Sequence, residues 1–313
     1  MTRVAQSMRR VAHRLLSSPP VSHQLLNRAV VVFLYHEVSD QPSRFNEMFG
    51  LNVRPSVFSK QLDLIQHYFR VIDPEALLAG DYETPAALVT FDDGNRSYFQ
   101  EALPILKAHR MPSVAFLNLG PIRGEVCWSG LVAYLQHFEA GFYESRTPRP
   151  TGYDFCRMPE SDVRDYLDTI DADTLFERVR IFRGPLACEA DLEAVSKEPL
   201  VHLGNHLYHH YNATLLSDRL KVEYRRNQEI VDAHPRGRRL FSYPFSCATE
   251  QTTRVLQEEG AQAIFGGWGL PNIARRDPVY ARVELGAGTL TEQGLMADVL
   301  RNYASAMWRG MVG

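Results

Sequence analysis

Short apolar runs and amphipathic stretches alternate along most of this chain. Ala29 to Tyr35, Ala86 to Phe91 and Ser113 to Leu117 are almost uninterrupted apolar runs and read as strands buried on both faces. Leu200 to Leu203, Arg239 to Tyr243, Gln262 to Phe265 and Val279 to Leu285 continue the series, with a shorter strand at Phe69 to Ile72. Between them apolar residues recur at helical spacing, as with Phe58, Leu62 and Ile65 in Asn52 to Tyr68, or Leu103 and Leu106 in Arg96 to His109. Pro74 to Ala79, Ser217 to Ala233, Thr249 to Glu259 and Glu292 to Met307 supply further helices. Strand and helix in this alternation imply parallel βα units, an α/β class protein of the kind that closes into a barrel.

Two segments depart from the rhythm. Residues 1–28 carry five arginines and no acid, with Val4, Met8, Val11 and Leu15 at helical spacing before Pro19-Pro20. Such a basic amphipathic arm suits an anionic membrane face, or a helix capping the barrel bottom. Residues 121–199 hold fifteen acidic against nine basic residues, helical patterns at Leu131–Phe138 and Val163–Phe182, and a turn-rich centre at Thr147–Asp154. They read as a helical insertion into the barrel, residues 29–313, acting either as a lid over its mouth or as a structural excursion.

Composition narrows the class. Of 313 residues, 45% are hydrophobic and 23% charged, as in ordinary globular proteins, and a net charge of -3 gives no general pull toward nucleic acid. Cys127, Cys156, Cys188 and Cys247 form no C-x-x-C, so neither a zinc knuckle nor a disulfide framework is indicated. No apolar run approaches the ~18 residues of a membrane span, and arginines interrupt the N-terminal apolar residues where a signal peptide would be continuous. The expectation is a cytoplasmic protein, with peripheral contact at the inner membrane face through the basic arm.

The chemistry gathers just after the strands. His36, Asp92-Asp93, His206 and Tyr243-Pro244-Phe245 each follow one, and in a parallel barrel those ends converge on a single mouth. Two adjacent carboxylates repel unless a metal or a proton lies between them. His206 and His210 stand four apart, so a helical turn or a tight loop points both rings the same way, and Leu207 excludes the H-E-x-x-H protease form. Two histidines with one aspartate make a ligand set suited to Zn²⁺ with a position open for water; His202 and His209 are alternative ligands.

Thr90-Phe91-Asp92-Asp93-Gly94, Gly204-Asn205-His206-x-x-x-His210 and Phe241-Ser242-Tyr243-Pro244-Phe245 resemble, in order, the best-marked motifs of the polysaccharide deacetylases, the NodB-like carbohydrate esterase family 4. The resemblance implies a distorted (β/α)7 barrel and a divalent metal held by Asp93, His206 and His210. It implies Asp92 as general base and the backbone N–H of Phe245 as an oxyanion donor. The family's usual C-terminal acid histidine has no counterpart, since no histidine follows His234. Tyr35-His36 instead resembles the N-terminal motif of circularly permuted members, and points to His36 as general acid. The third-motif arginine that braces the base is replaced by Ser242, with Arg282 as a substitute from another strand end or else as a plain ion pair. Leu207 stands where the family has Ser or Thr, a change expected to loosen that loop. Tyr243 and Trp268, the latter in a glycine-rich loop after a strand, are assigned to the amino-sugar substrate; core packing is the alternative for the indole.

The expected function is metal-dependent removal of an N-acetyl group from an amino sugar, in a nucleotide- or lipid-linked precursor of a surface polysaccharide. A catalytically silent carbohydrate-binding protein and a deformylase or deacylase of another small amide are the alternatives.

Overall fold

The computed structural model describes residues 24, 26–144, 154–268, 272 and 279–300, with backbone alone at 267–268. The basic arm therefore lies almost wholly outside the described residues, as does most of the turn-rich centre. Among the described residues no helix is long and apolar enough to cross a membrane, and all four cysteines are unbonded.

Seven parallel strands close into a barrel: β1 (Val30–Tyr35), β2 (Ala86–Phe91), β3 (Ser113–Leu117), β4 (Val201–Asn205), β5 (Gly237–Ser242), β6 (Ala263–Trp268) and β7 (Val279–Glu284). Strand β1 seals it, pairing with β2 from Val30↔Ala86 to Tyr35↔Phe91 and with β7 through Val32↔Arg282. A two-residue strand, Arg70–Val71, lies outside the ring against β2.

The period-two alternation of side chains divides the core in two. Val30, Val32, Leu88, Val114, Phe116, Leu240, Phe265 and Tyr280 fill the barrel interior, which the helix Pro74–Ala79 closes from below with Leu77. Phe33, Val89, Leu117 and Leu203 point outward into a second core, which also takes in Phe58, Leu62 and Ile65 of α1 (Pro55–Tyr68), Leu106 of α2 (Leu103–His109) and Val231.

The segment between β3 and β4 is helical, with a core of its own. Helices α3 (Trp128–Phe138), α4 (Glu160–Leu167) and α5 (Ala172–Arg183) bury Trp128, Leu131, Val163, Leu175, Val179 and Phe182 together with Phe45 from the short helix Arg44–Phe49 after β1. The single pattern read over Val163–Phe182 is two helices. Asp171 breaks it, because its carboxylate caps α5 by accepting from the N–H groups of Asp173 and Thr174. Helices α6 (Arg219–Ala233), α7 (Glu250–Glu258) and α8 (Glu292–Val299) complete the outer ring. The stretch read as continuing α8 to Met307 lies outside the described residues beyond 300.

Candidate active site

Strand parity delivers the site. In β2 the inward positions Leu88 and Thr90 are followed by Asp92; in β4, Gly204 by His206; in β1, Leu34 by His36. Asp93 would by the same rule point outward, but its backbone turns over at φ 72 and brings the carboxylate back to the mouth. Gly94 follows at φ 67, the left-handed region that glycine adopts freely. Five of the seven non-glycine residues with positive φ among those described line these loops: Asp93, Leu207, His210, Phe245 and Ser246. Such backbone costs about 1–3 kcal/mol per residue and persists only where its surroundings over-determine it.

Those surroundings are visible. The His206–His210 segment is a loop rather than a helical turn. Asn118 donates to the carbonyls of His206 and Leu207, while Asn205 Oδ1 accepts from the Leu207 N–H at 2.9 Å and from Asn227 at 3.0 Å. Leu207, expected to loosen the loop, is instead fully buried among Leu216, Leu220 and Tyr224. His209 points away from the site, as its spacing implied. Its Nδ1 lies 2.8 Å from Glu223 and its Nε2 2.6 Å from Glu125, and the two carboxylates raise its pKa against the opposing effect of burial. His202 sits far down the strand with its Nδ1 3.3 Å from Glu75, and burial pushes its pKa down to about 4.

Asp93, His206 and His210 converge. Their ligand atoms all lie within 4.8 Å of one another, with Asp93 Oδ1 2.9 Å from His210 Nε2 and 3.3 Å from His206 Nε2. The donor set fits a cation. His206 Nδ1 is 2.8 Å from the Ser242 carbonyl, which can only accept, so Nδ1 carries the hydrogen and a neutral ring turns the Nε2 lone pair on Asp93 Oδ1. A lone pair facing a carboxylate oxygen is repulsive until a positive charge is shared between them. Burial, outweighing the pull of Asp93, lowers the His210 pKa and favours the neutral ring that a metal needs. Its buried Nδ1 has no hydrogen-bond partner among the described residues.

Asp92 borders this triad, its Oδ2 3.7 Å from His206 Nε2, but its hydrogen bonds go elsewhere. Arg282 binds it through both nitrogens, Nη1 to Oδ1 at 2.8 Å and Nη2 to Oδ2 at 2.6 Å, and Ser242 donates to Oδ2 at 3.2 Å. The pairing of β7 with β6 shifts here by one residue, with the extra residue in β6 between Phe265 and Trp268, so β7 keeps its parity and Arg282 faces inward like Tyr280. Burial raises the Asp92 pKa, but Arg282 and His206 more than offset it and keep the carboxyl below its usual range. Asp93 lies lower still, where burial is opposed by His210, His206 and Arg183.

Three features escaped the sequence reading. Arg183, the last residue of α5 and only 2% exposed, donates to Asp93 Oδ2 at 3.0 Å and to Asn95 Oδ1 at 2.8 Å. Glu284, two residues beyond Arg282, stands 3.8 Å from His36 Nδ1. An aromatic wall of Phe45, Phe49, Phe155 and Phe245 runs from ring to ring at 5.0–5.8 Å and ends on His210. Two of them left a signal: Glu284 keeps the strand parity of Arg282, and Arg183 continues the Leu175, Val179 stripe of an amphipathic helix, where a cation must be buried and therefore paired.

A cavity of about 300 Å³ opens on this assembly, lined by His36, Asp92, Asp93, His206, His210 and Glu284 on one side and by the aromatic wall on the other. Tyr243 is not part of it, which corrects its assignment to the substrate. It takes the outward parity next to inward Ser242, is fully buried beside Phe241, and bonds through its hydroxyl to Thr252 and Thr253. Trp268 ends β6 rather than following it in a loop, and its side chain is outside the described set.

Comparison with known proteins agrees with this geometry. Residues 79–264, more than half of the chain, match the family model described as polysaccharide deacetylase. No curated protein sequence matches. Among solved structures the chain is similar to IcaB from Ammonifex degensii, at a TM-score of 0.59 and 19% identity, covering 87% of this chain and 97% of that one. It is also similar to the deacetylase PplD of Streptococcus pyogenes in complex with acetate, at a TM-score of 0.54 and 13% identity over 87% and 98% of the two chains. A de-N-acetylase from Aggregatibacter actinomycetemcomitans aligns at a TM-score of 0.54 and 14% identity over 81% and 93%. At these identities the likeness is one of fold; the family match, the closed seven-stranded barrel and the converging motif residues together place the chain in the polysaccharide deacetylase family.

Proposed function

We propose that the protein hydrolyses the N-acetyl group of an amino sugar at this cavity. The observation that carries the reading is the division of labour between adjacent carboxylates. Asp93 faces two histidines across a space fit for a cation, and Asp92, a residue away, is clamped ionised by Arg282. A divalent metal, Zn²⁺ by its ligand types, would be held by Asp93, His206 and His210 and would supply Lewis acidity and a more acidic water.

The remaining roles belong to the chain. Asp92, ionised and aimed into the cavity, takes the proton of the attacking water. Its two bonds to Arg282 fix the carboxylate plane, so the lone pair left free points one way. The Phe245 N–H, presented by a left-handed turn at φ 57, is the donor assigned to the oxygen that becomes negative. His36, 14% exposed at the cavity with Glu284 near its Nδ1, gives a proton to the departing amine.

The substrate proposed is a nucleotide- or lipid-linked precursor of a surface polysaccharide, handled in the cytoplasm. The partly exposed Phe49 and Phe245 of the aromatic wall support contact with the apolar face of a sugar, and the basic arm supports attachment to an anionic membrane face. The test is metal content and acetate release, wild type against His206→Ala, over a panel of N-acetylated sugar nucleotides and lipid-linked sugars. About one equivalent of metal lost in the variant, with acetate released only by wild type, is the expected result. Metal-free wild-type protein without turnover overturns it.

A further inference from the structure

The insertion between β3 and β4 reaches past the cavity wall to the metal-ligand side of the site. Arg183 ends α5, and its guanidinium crosses from the insertion core to Asp93, passing 4.7 Å above the ring of Phe45. One nitrogen holds Asp93 Oδ2 and the other Asn95 Oδ1, which also accepts from Asn46 at 3.2 Å. The fork is therefore anchored at both tips, and the stem is confined as well. Gly130 in α3 leaves room for it, since a Cβ there would sit 3.3 Å from the Arg183 Cβ and Cδ.

Asp93 has two oxygens and two kinds of partner. Oδ1 faces His206 and His210, and Oδ2 faces Arg183. We infer that Arg183 is a positioning residue: by occupying Oδ2 it aims Oδ1 alone at the histidine pair, so the insertion completes the metal centre. This rests on the metal reading given above. Two opposed effects decide how it shows. Removing a cation beside a dication site favours metal binding by charge alone. Releasing a ligand from the partner that orients it works the other way, and lost outer-shell contacts of this sort cost about 10–100-fold in affinity. Orientation should dominate here, because the left-handed turn brings the Asp93 carboxylate to the mouth but leaves the choice between its two oxygens to their partners.

Metal affinity, measured by chelator competition with Zn²⁺ and Co²⁺ on folded protein, separates the two. Arg183→Met should bind about 10–100-fold more weakly. Arg183→Lys, which keeps the charge and loses the planar fork, should fall nearly as far. Gly130→Ala, which keeps both and crowds the stem in a helix that tolerates alanine, should weaken binding several-fold with its thermal midpoint little changed. Tighter binding by Arg183→Met with Arg183→Lys at the wild-type value overturns the inference in favour of charge tuning. Equal affinity in all three variants, whatever their thermal midpoints, overturns it in favour of a purely structural arginine. A wild-type protein that takes up neither metal strikes the metal reading itself, and the inference falls with it.

Discussion

The barrel and the insertion each send one buried arginine to the same Asp92-Asp93 pair, by different routes. Arg282 arrives on a strand, two places along from inward-facing Tyr280, and meets Asp92 as a flat two-point clamp. Arg183 arrives at the end of a helix packed on α3 of the insertion and on the short helix Arg44–Phe49 after β1, and shares its two tips between Asp93 and Asn95. The carboxylate proposed to move a proton is thus braced by the sheet, where register leaves little freedom. The carboxylate proposed to hold a metal is braced by a segment that packs largely on itself. Two neighbouring residues of identical chemistry acquire different tasks from what lies beyond them.

That contrast can be broken in order of expected effect. Asp92→Asn and His36→Ala should each depress turnover by about 10²–10⁴-fold with metal content retained; metal lost with Asp92→Asn would reverse the assignment of the pair, and an unaffected rate in His36→Ala would remove His36 from the chemistry. Arg282→Met leaves a buried carboxylate unpaired, and denaturant unfolding should show a loss of about 3–5 kcal/mol. Its metal affinity should stay near wild type, the opposite of the pattern expected for Arg183→Met. If both arginine variants lose metal alike, the two carboxylates act as one unit and the contrast disappears.

The smallest effect concerns His209, which ties the metal-ligand loop to Glu125 of the insertion and Glu223 of α6. Folding raises its pKa. Its stabilisation is therefore complete below the free-histidine value of about 6.5 and is lost as pH rises through the raised value. Unfolding by urea at about pH 6 and about pH 9 should show this loss in wild type and less of it in Glu125→Gln. Equal slopes for the two proteins would mean the imidazole is not held as a cation.

How much of the fold and the site is legible in the sequence depends on range. Strands announce themselves by unbroken apolar runs, and the side chain two places beyond an inward position faces inward too, by local geometry alone. His36, Asp92, His206 and Arg282 are legible on that basis. The same parity, applied one residue further, shows that Ser242 and Tyr243 cannot both face the mouth. That Arg183 is buried is legible from its helical stripe, but which group it reaches depends on how α5 packs against α3 and the short helix after β1, contacts between segments far apart in sequence. The aromatic wall is hidden for the same reason. Phe45, Phe155 and Phe245 come from three separate stretches, and no spacing relates them. Leu207 misleads because its loop is held by asparagines on neighbouring elements rather than by its own side chain.

The seam of the barrel has one more consequence, in the order of events during synthesis. Strands β1 and β2 can pair once the first third of the chain has emerged, but β7 is made last of the seven. Until it docks against β1 the ring is open and Asp92 lacks its guanidinium. A nascent chain stalled before Arg282 would already carry every residue of the metal-ligand set. Its neighbouring carboxylate, still unclamped, would gain its partner only when the final strand shuts the ring.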